Sequence, residues 1–186
     1  LTTNAESFLP TILSRCTVLK LKPLYDSVIK DYLIKECKVS AHQADICTAF
    51  ARGNLGKAIA LSSSEEFMQL QELVLRRLKK VSEMAVYEMV GALKELKDSG
   101  FRIGDCLEFM QLWFRDVLMF KATQDSSLLI FKDEYKYLKE VSDHSDYAGI
   151  EKILAAIDKA RVRLDANVNF ELTMELMLLV MKENIL

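Results

Sequence analysis

Two prolines and six glycines in 186 residues leave few places where a helix is forced to stop. That scarcity predicts long, uninterrupted helices. Cysteine is sparse and scattered: Cys16, Cys37, Cys47 and Cys106 lie far apart, without a C-x-x-C pair. The spacing excludes a sequence-readable zinc module and predicts reduced thiols in a cytosolic protein. The two histidines, His42 and His144, are too isolated to build a metal site. Basic excess is missing too. A net charge of −2 argues against a dedicated nucleic-acid-binding domain. No apolar run approaches the roughly 18 residues that cross a bilayer, and no secretory leader is expected. No base, metal cluster or activated nucleophile can be assembled from the residues, so no catalytic activity is expected of this chain alone. It opens on Leu1 in what reads as the tail of a strand, and is expected to be a piece of a longer protein.

What is present is apolar surface, 51% of the residues, enough for a real core in one or two domains. The stretch Phe8 to Cys16, FLPTILSRC, carries most of the interest. Pro10 disfavours helix at Leu9 and suits the first helical position, so a short helix is expected over Thr11 to Leu13. Thr17 to Leu21 has the β-branched, apolar pattern of a strand. Arg15 therefore stands at a helix-to-strand junction, between Ser14 and Cys16. Taken alone, it reads as a surface arginine that satisfies helix C-terminal carbonyls.

Three short helices follow. Tyr25 to Cys37 places Tyr25, Val28, Ile29, Tyr32 and Leu33 on one stripe. Ser40 with Gln43 forms a capping-box pattern for a helix reaching about Arg52, and Gly53 suits the left-handed residue after it. Asn54 can cap a third helix over Leu55 to about Leu61. Gly53, Gly56 and Lys57 look superficially like a phosphate loop. Their spacing is wrong, Ala58 replaces the hydroxyl residue, and a helix rather than a strand precedes them. They are rejected as a nucleotide site.

Ser62-Ser63-Ser64 marks an expected boundary, with Ser63 and Glu66 as the next capping box. Residues 64–186 then read as amphipathic helices. Phe67, Leu70, Val74, Leu78 and Val81 trace one face, and Arg76, Arg77, Lys79 and Lys80 form a basic cluster expected to be solvated. Helices are expected over Ser82 to Lys97, Phe101 to Thr123 (greasy on most sides and hence buried) and, less clearly, Leu128 to Val141. A further stripe runs from Ile150 to Leu164. Asn169 can cap the last helix, where Leu172, Leu176, Leu179 and Val180 face one way. Met174, Met177, Leu178 and Met181 widen that surface, part of which is expected to meet neighbouring subunits.

The run LTTNAESFLPTILSRC resembles the end of the ATPase domain in subunits of bacterial DNA polymerase clamp loaders. ARGNLGKAIAL is similar to their lid segment, and ANVNFELTMELMLL to the closing helix pair of their collar. The resemblance implies a mainly all-α chain. Residues 1–22 would be a strand-helix-strand remnant of an AAA+ α/β domain, 23–63 a three-helix lid, and 64–186 a helical collar for oligomerisation. It implies that Arg15 is an arginine finger acting in trans on a neighbour's γ-phosphate, framed by Ser14 and Cys16. Thr3, or its neighbour Thr2, would hold a nucleotide-sensor position. In ATP-hydrolysing subunits a second sensor arginine stands where this chain has Gly56, with Lys57 beside it. Its absence points to the non-hydrolysing, delta-prime type. A gamma/tau-type ATPase subunit and a helical scaffold without nucleotide role are the alternatives.

The implied cofactor, ATP with magnesium, belongs to neighbouring subunits and not to this chain. Implied partners are gamma/tau and delta subunits through the collar, with the sliding clamp and primed DNA engaged indirectly, as part of a polymerase holoenzyme. No membrane partner is implied. The isolated chain can also pair with a second copy through its uncovered apolar faces.

Overall fold

The computed structural model describes residues 8–19 and 21–185, and among them every regular element is helical. After the single-turn α1 (Pro10–Leu13) come three helices: α2 (Asp26–Lys35), α3 (Ala41–Ala51) and α4 (Leu55–Ser62). The starts of α3 and α4 follow from side-chain caps. Ser40 Oγ accepts the amide of Gln43 at 3.2 Å, and Asn54 Oδ1 accepts that of Lys57 at 3.0 Å. These side chains satisfy amides that a helix N-terminus leaves without partners.

The strand expected over Thr17 to Leu21 is not formed: Thr17, Val18 and Leu19 are irregular and exposed. A β-branched run becomes a strand only when another strand takes up its backbone groups, and among the described residues none does. The stripe on α2 is also narrower than expected. Ile29 and Leu33 are fully buried, whereas Tyr25, Val28 and Tyr32 face outward.

The remaining helices are α5 (Glu65–Leu78), α6 (Val86–Asp98), α7 (Ile103–Thr123), α8 (Tyr135–His144), α9 (Tyr147–Asp165) and α10 (Phe170–Asn184). Ser64, not Ser63, caps α5, accepting the amide of Phe67 at 3.1 Å. The Ser63 hydroxyl is occupied by the preceding helix, donating to the carbonyls of Ile59 and Ala60. Helix α6 starts at Val86 rather than Ser82, after a run of turns. The uncertain stretch from Leu128 begins with two 3-10 turns, Ser126–Leu128 and Lys132–Glu134, and reaches α-helix only at Tyr135. Asn169 caps α10 as expected, its Oδ1 accepting from Leu172 at 2.9 Å.

Helix α7 is the centre of the larger unit, packed against α5, α8 and α9, while α10 lies on α9 and α6. Its apolar circumference explains this place: Cys106, Phe109, Phe114 and Val117 are completely buried and Trp113 nearly so. The apolar core is continuous across the serine seam at 62–64. Phe50 of α3 stacks on Phe109 of α7 with ring centroids 4.2 Å apart, and both touch Phe67 of α5 at about 5 Å. Phe131 and Trp113 extend the cluster, 5.9 Å apart. Aromatic pairs of this kind add about 0.5–1.5 kcal/mol each beyond the area they bury.

One charge sits inside that core. Asp116 is fully buried and accepts the amides of Ile130 at 2.7 Å and Phe131 at 2.8 Å, with Arg115 donating at 2.8 Å. Burial raises its pKa, and the three donors offset part of that rise. Asp116 thereby pins the segment that inserts Phe131 beside Trp113. Asp116→Ala leaves the buried Phe131 amide and the half-buried Ile130 amide unpaired and is expected to cost about 3 kcal/mol, read as a lowered urea midpoint with an unchanged m-value.

Candidate functional site

Arg15 stands where a single helical turn ends. Leu9 is extended (φ −59°, ψ 140°) because Pro10 follows, and its carbonyl accepts the amides of Ile12 and Leu13 at 2.9 and 3.2 Å. At the other end, the Ser14 hydroxyl donates to the Thr11 carbonyl at 3.2 Å. The amides of Arg15 and Cys16 take the carbonyls of Ile12 and Leu13 at 3.1 and 3.3 Å. The last carbonyls of α1 are thus occupied by neighbouring groups, and the Arg15 guanidinium makes no hydrogen bond or ion pair among the described residues. Ser14, Arg15 and Cys16 are all exposed. Ser14 frames the turn through its hydroxyl. Thr2 and Thr3, the sensor-like positions, lie outside the described residues.

The segment carrying Arg15 is anchored where it enters the three-helix unit. The amide of Leu24 donates to the Gly53 carbonyl at 2.9 Å. Gly53 has φ +84°, and a Cβ there would sit 2.3 Å from Cβ of Pro23. Both the backbone conformation and the close approach require glycine. Gly56 is different: a Cβ there would meet only Asn54 Oδ1 at 3.5 Å, an ordinary contact. Nothing steric forbids a side chain at Gly56, and it and Lys57 are exposed on the first turn of α4. The setting is helix-turn-helix, which does not form a phosphate loop.

The basic cluster at the C-terminal end of α5 is largely spoken for, with Lys80 exposed. Arg76 and Arg77 share the carboxylate of Glu95, and Lys79 pairs with Glu134 at 2.6 Å while lying 4.8 Å from the Tyr137 ring centre. Cations engaged this way do not present a free phosphate-binding patch. Among the described residues, no group of three or more His, Cys, Asp or Glu side chains converges as metal ligands would, and no helix is long and apolar enough to cross a membrane.

The last helix divides its expected apolar surface between core and solvent. Thr173, Met174, Met177, Leu178 and Met181 are buried against α9 and α6, while Leu172 and Leu176 are exposed. Pliable methionines fill the irregular gap, and the leucines remain on the surface with Val162 and Val168.

Two features escaped sequence reasoning. The first is Asp116, whose signal was present: the one carboxylate in the apolar run Phe109 to Phe120 of the central helix. The second is an ionic network centred on Glu108. Its Oε1 accepts Nε of Arg52 at 3.0 Å, and its Oε2 accepts Nη1 of Arg161 at 3.4 Å. Arg52 and Glu108 are 56 residues apart, beyond any local spacing rule.

The cysteines separate by burial. Cys47 and Cys106 are fully buried, and desolvation pushes their thiols up to about 11 and about 12 respectively. Cys16 is exposed beside Arg15. A thiol-labelling titration of the native protein is expected to modify Cys16 first and to spare Cys47 and Cys106 until denaturant is added.

Residues 65–183 match the family described as DNA polymerase III, delta subunit, C terminal. The match begins at the first residue of α5. DNA polymerase III subunit delta' of Bacillus subtilis (strain 168) is 27% identical over 190 residues, an alignment covering 98% of this chain and 56% of the relative. The chain thus spans little more than half the length of that relative.

Proposed function

The chain belongs to the family formed by the C-terminal regions of DNA polymerase III delta subunits, and on that premise we propose that it is the lid and collar of a non-hydrolysing, delta-prime-type clamp-loader subunit. Helices α2–α4 serve as the lid and α5–α10 as the collar. Arg15, on the turn before the lid, acts as an arginine finger: it reaches the γ-phosphate of ATP bound with magnesium by a neighbouring subunit and stabilises charge that develops there. The protein supplies position and charge, and the neighbour supplies the nucleotide. On this reading the protein works in the cytoplasm, in DNA replication, during loading of a sliding clamp.

One observation carries the finger. Arg15 is exposed at the end of a hydrogen-bonded turn whose carbonyls are already satisfied, so its guanidinium has no described internal role. Gly56 supports the non-hydrolysing type: a side chain would fit there, yet no arginine is present. The exposed Leu172, Leu176 and Val162 give the collar apolar surface for gamma/tau and delta subunits. Clamp and primed DNA are engaged through the assembly, consistent with a basic cluster in which Arg76, Arg77 and Lys79 are already paired within the chain.

The test compares full-length wild type with Arg15→Ala in a reconstituted loader, measuring ATP turnover with clamp and primed DNA. Turnover at the interface served by Arg15 is expected to fall by up to several orders of magnitude while assembly is retained. Unchanged turnover would make Arg15 a surface residue and leave a helical assembly module.

A further inference from the structure

The turn between α3 and α4 holds two consecutive left-handed residues, Arg52 at φ +47° and Gly53 at φ +84°. Glycine adopts this conformation freely, and arginine rarely does. A residue held there implies surroundings that over-determine it. The surroundings are on three sides. Gly53 receives the connector from Arg15, through the Leu24 amide at 2.9 Å and the abutting Pro23 ring. Arg52 leaves the lid and grips Glu108 of α7 through Nε at 3.0 Å and through Nη2. Glu108 is 12% exposed, and Arg161 of α9 holds its other oxygen. Arg161 also donates to Gln111 at 2.9 Å, and Gln111 to Asp158 at 3.2 Å.

We propose that the Arg52–Gly53 turn is the joint that orients the Arg15 connector on the collar, with Arg52 as a positioning residue. Gly53 seats the connector, and Arg52 locks the same turn to α7 and α9. A second tie, from Asp45 of α3 to Lys132 at 3.0 Å, lies about two turns from Arg52. With the Arg52 grip removed, the lid stays attached through that tie and the aromatic cluster but is free to pivot. Consequences for catalysis rest on the arginine-finger reading; the joint itself does not.

The experiment uses the full-length protein, in a Cys16→Ser, Cys37→Ser background, with spin labels at Tyr25→Cys on the connector and Lys152→Cys on α9. Both positions are exposed. Pulsed electron resonance is expected to give one narrow distance distribution for the parent. Arg52→Gly keeps the left-handed turn but removes the grip, and Glu108→Gln removes the charge. Both are expected to broaden or split the distribution, and Arg52→Lys to restore most of it. In the reconstituted loader, with native cysteines, the same two variants are expected to lower ATP turnover about tenfold or more, since misplacement by about 1 Å can cost a hundredfold. Folded variants with the parental distribution would overturn the joint, whatever Arg15→Ala does. Broadened distances alongside unaffected turnover in Arg15→Ala would leave the joint standing and remove the finger.

Discussion

The contact between Phe50 and Phe109 is the constraint on which the rest of the structure depends. Three short helices, α2 to α4, span fewer than 40 residues and bury too little apolar surface to be stable alone. Phe50 solves this by stacking across the seam on the central helix of the larger unit. Helices α2–α4 and α5–α10 thereby share one core, and the stability of each set becomes a property of both. Burial of aromatic rings drives that union, but it is non-directional and leaves the rotation of α2–α4 weakly specified.

Direction comes from charges at the rim of the same contact. Glu108, one residue before Phe109, faces Arg52, two residues after Phe50. Because Glu108 is largely buried and bound by two arginines, it acts as a keyed point rather than a free surface charge. The left-handed Arg52–Gly53 turn then carries that orientation to Pro23 and Leu24, and so to the connector bearing Arg15. An arginine that acts on a neighbour's phosphate gains from such a chain of contacts, because catalysis by positioning fails when the frame is loose.

Much of this was legible in the sequence because it is local. Ser40, Asn54 and Asn169 announce helix starts through a hydrogen bond three residues long, and Gly53 announces an end. The crowded apolar circumference of α7 announced a central helix. What depended on partners was not legible. Thr17 to Leu21 looks like a strand but has no described strand to pair with. Leu172, Leu176, Leu179 and Val180 share a stripe, but its direction was not legible: α10 buries its methionines and leaves Leu172 and Leu176 exposed, a choice made by the shape of α9 and α6. Ser63 and Ser64 are chemically equivalent as caps, and only the carbonyls of Ile59 and Ala60 decide between them. The Arg52–Glu108 pair has no sequence signature because fold topology alone brings its members together. The Ser-Arg-Cys motif was visible at once, whereas the seating of its connector on the Gly53 turn was not.

Native-state hydrogen exchange on the full-length protein tests the central claim, that α2–α4 and α5–α10 form one cooperative body. Amides of Ile46 to Phe50 in α3 and of Phe109 to Trp113 in α7 would be followed through a series of low denaturant concentrations. The account predicts that both sets open with the same free energy and the same denaturant dependence, as one unit. If the α3 amides exchanged through a separate opening of much lower free energy, α2–α4 would be an independently mobile element. The joint at Arg52 could not then hold Arg15 in place.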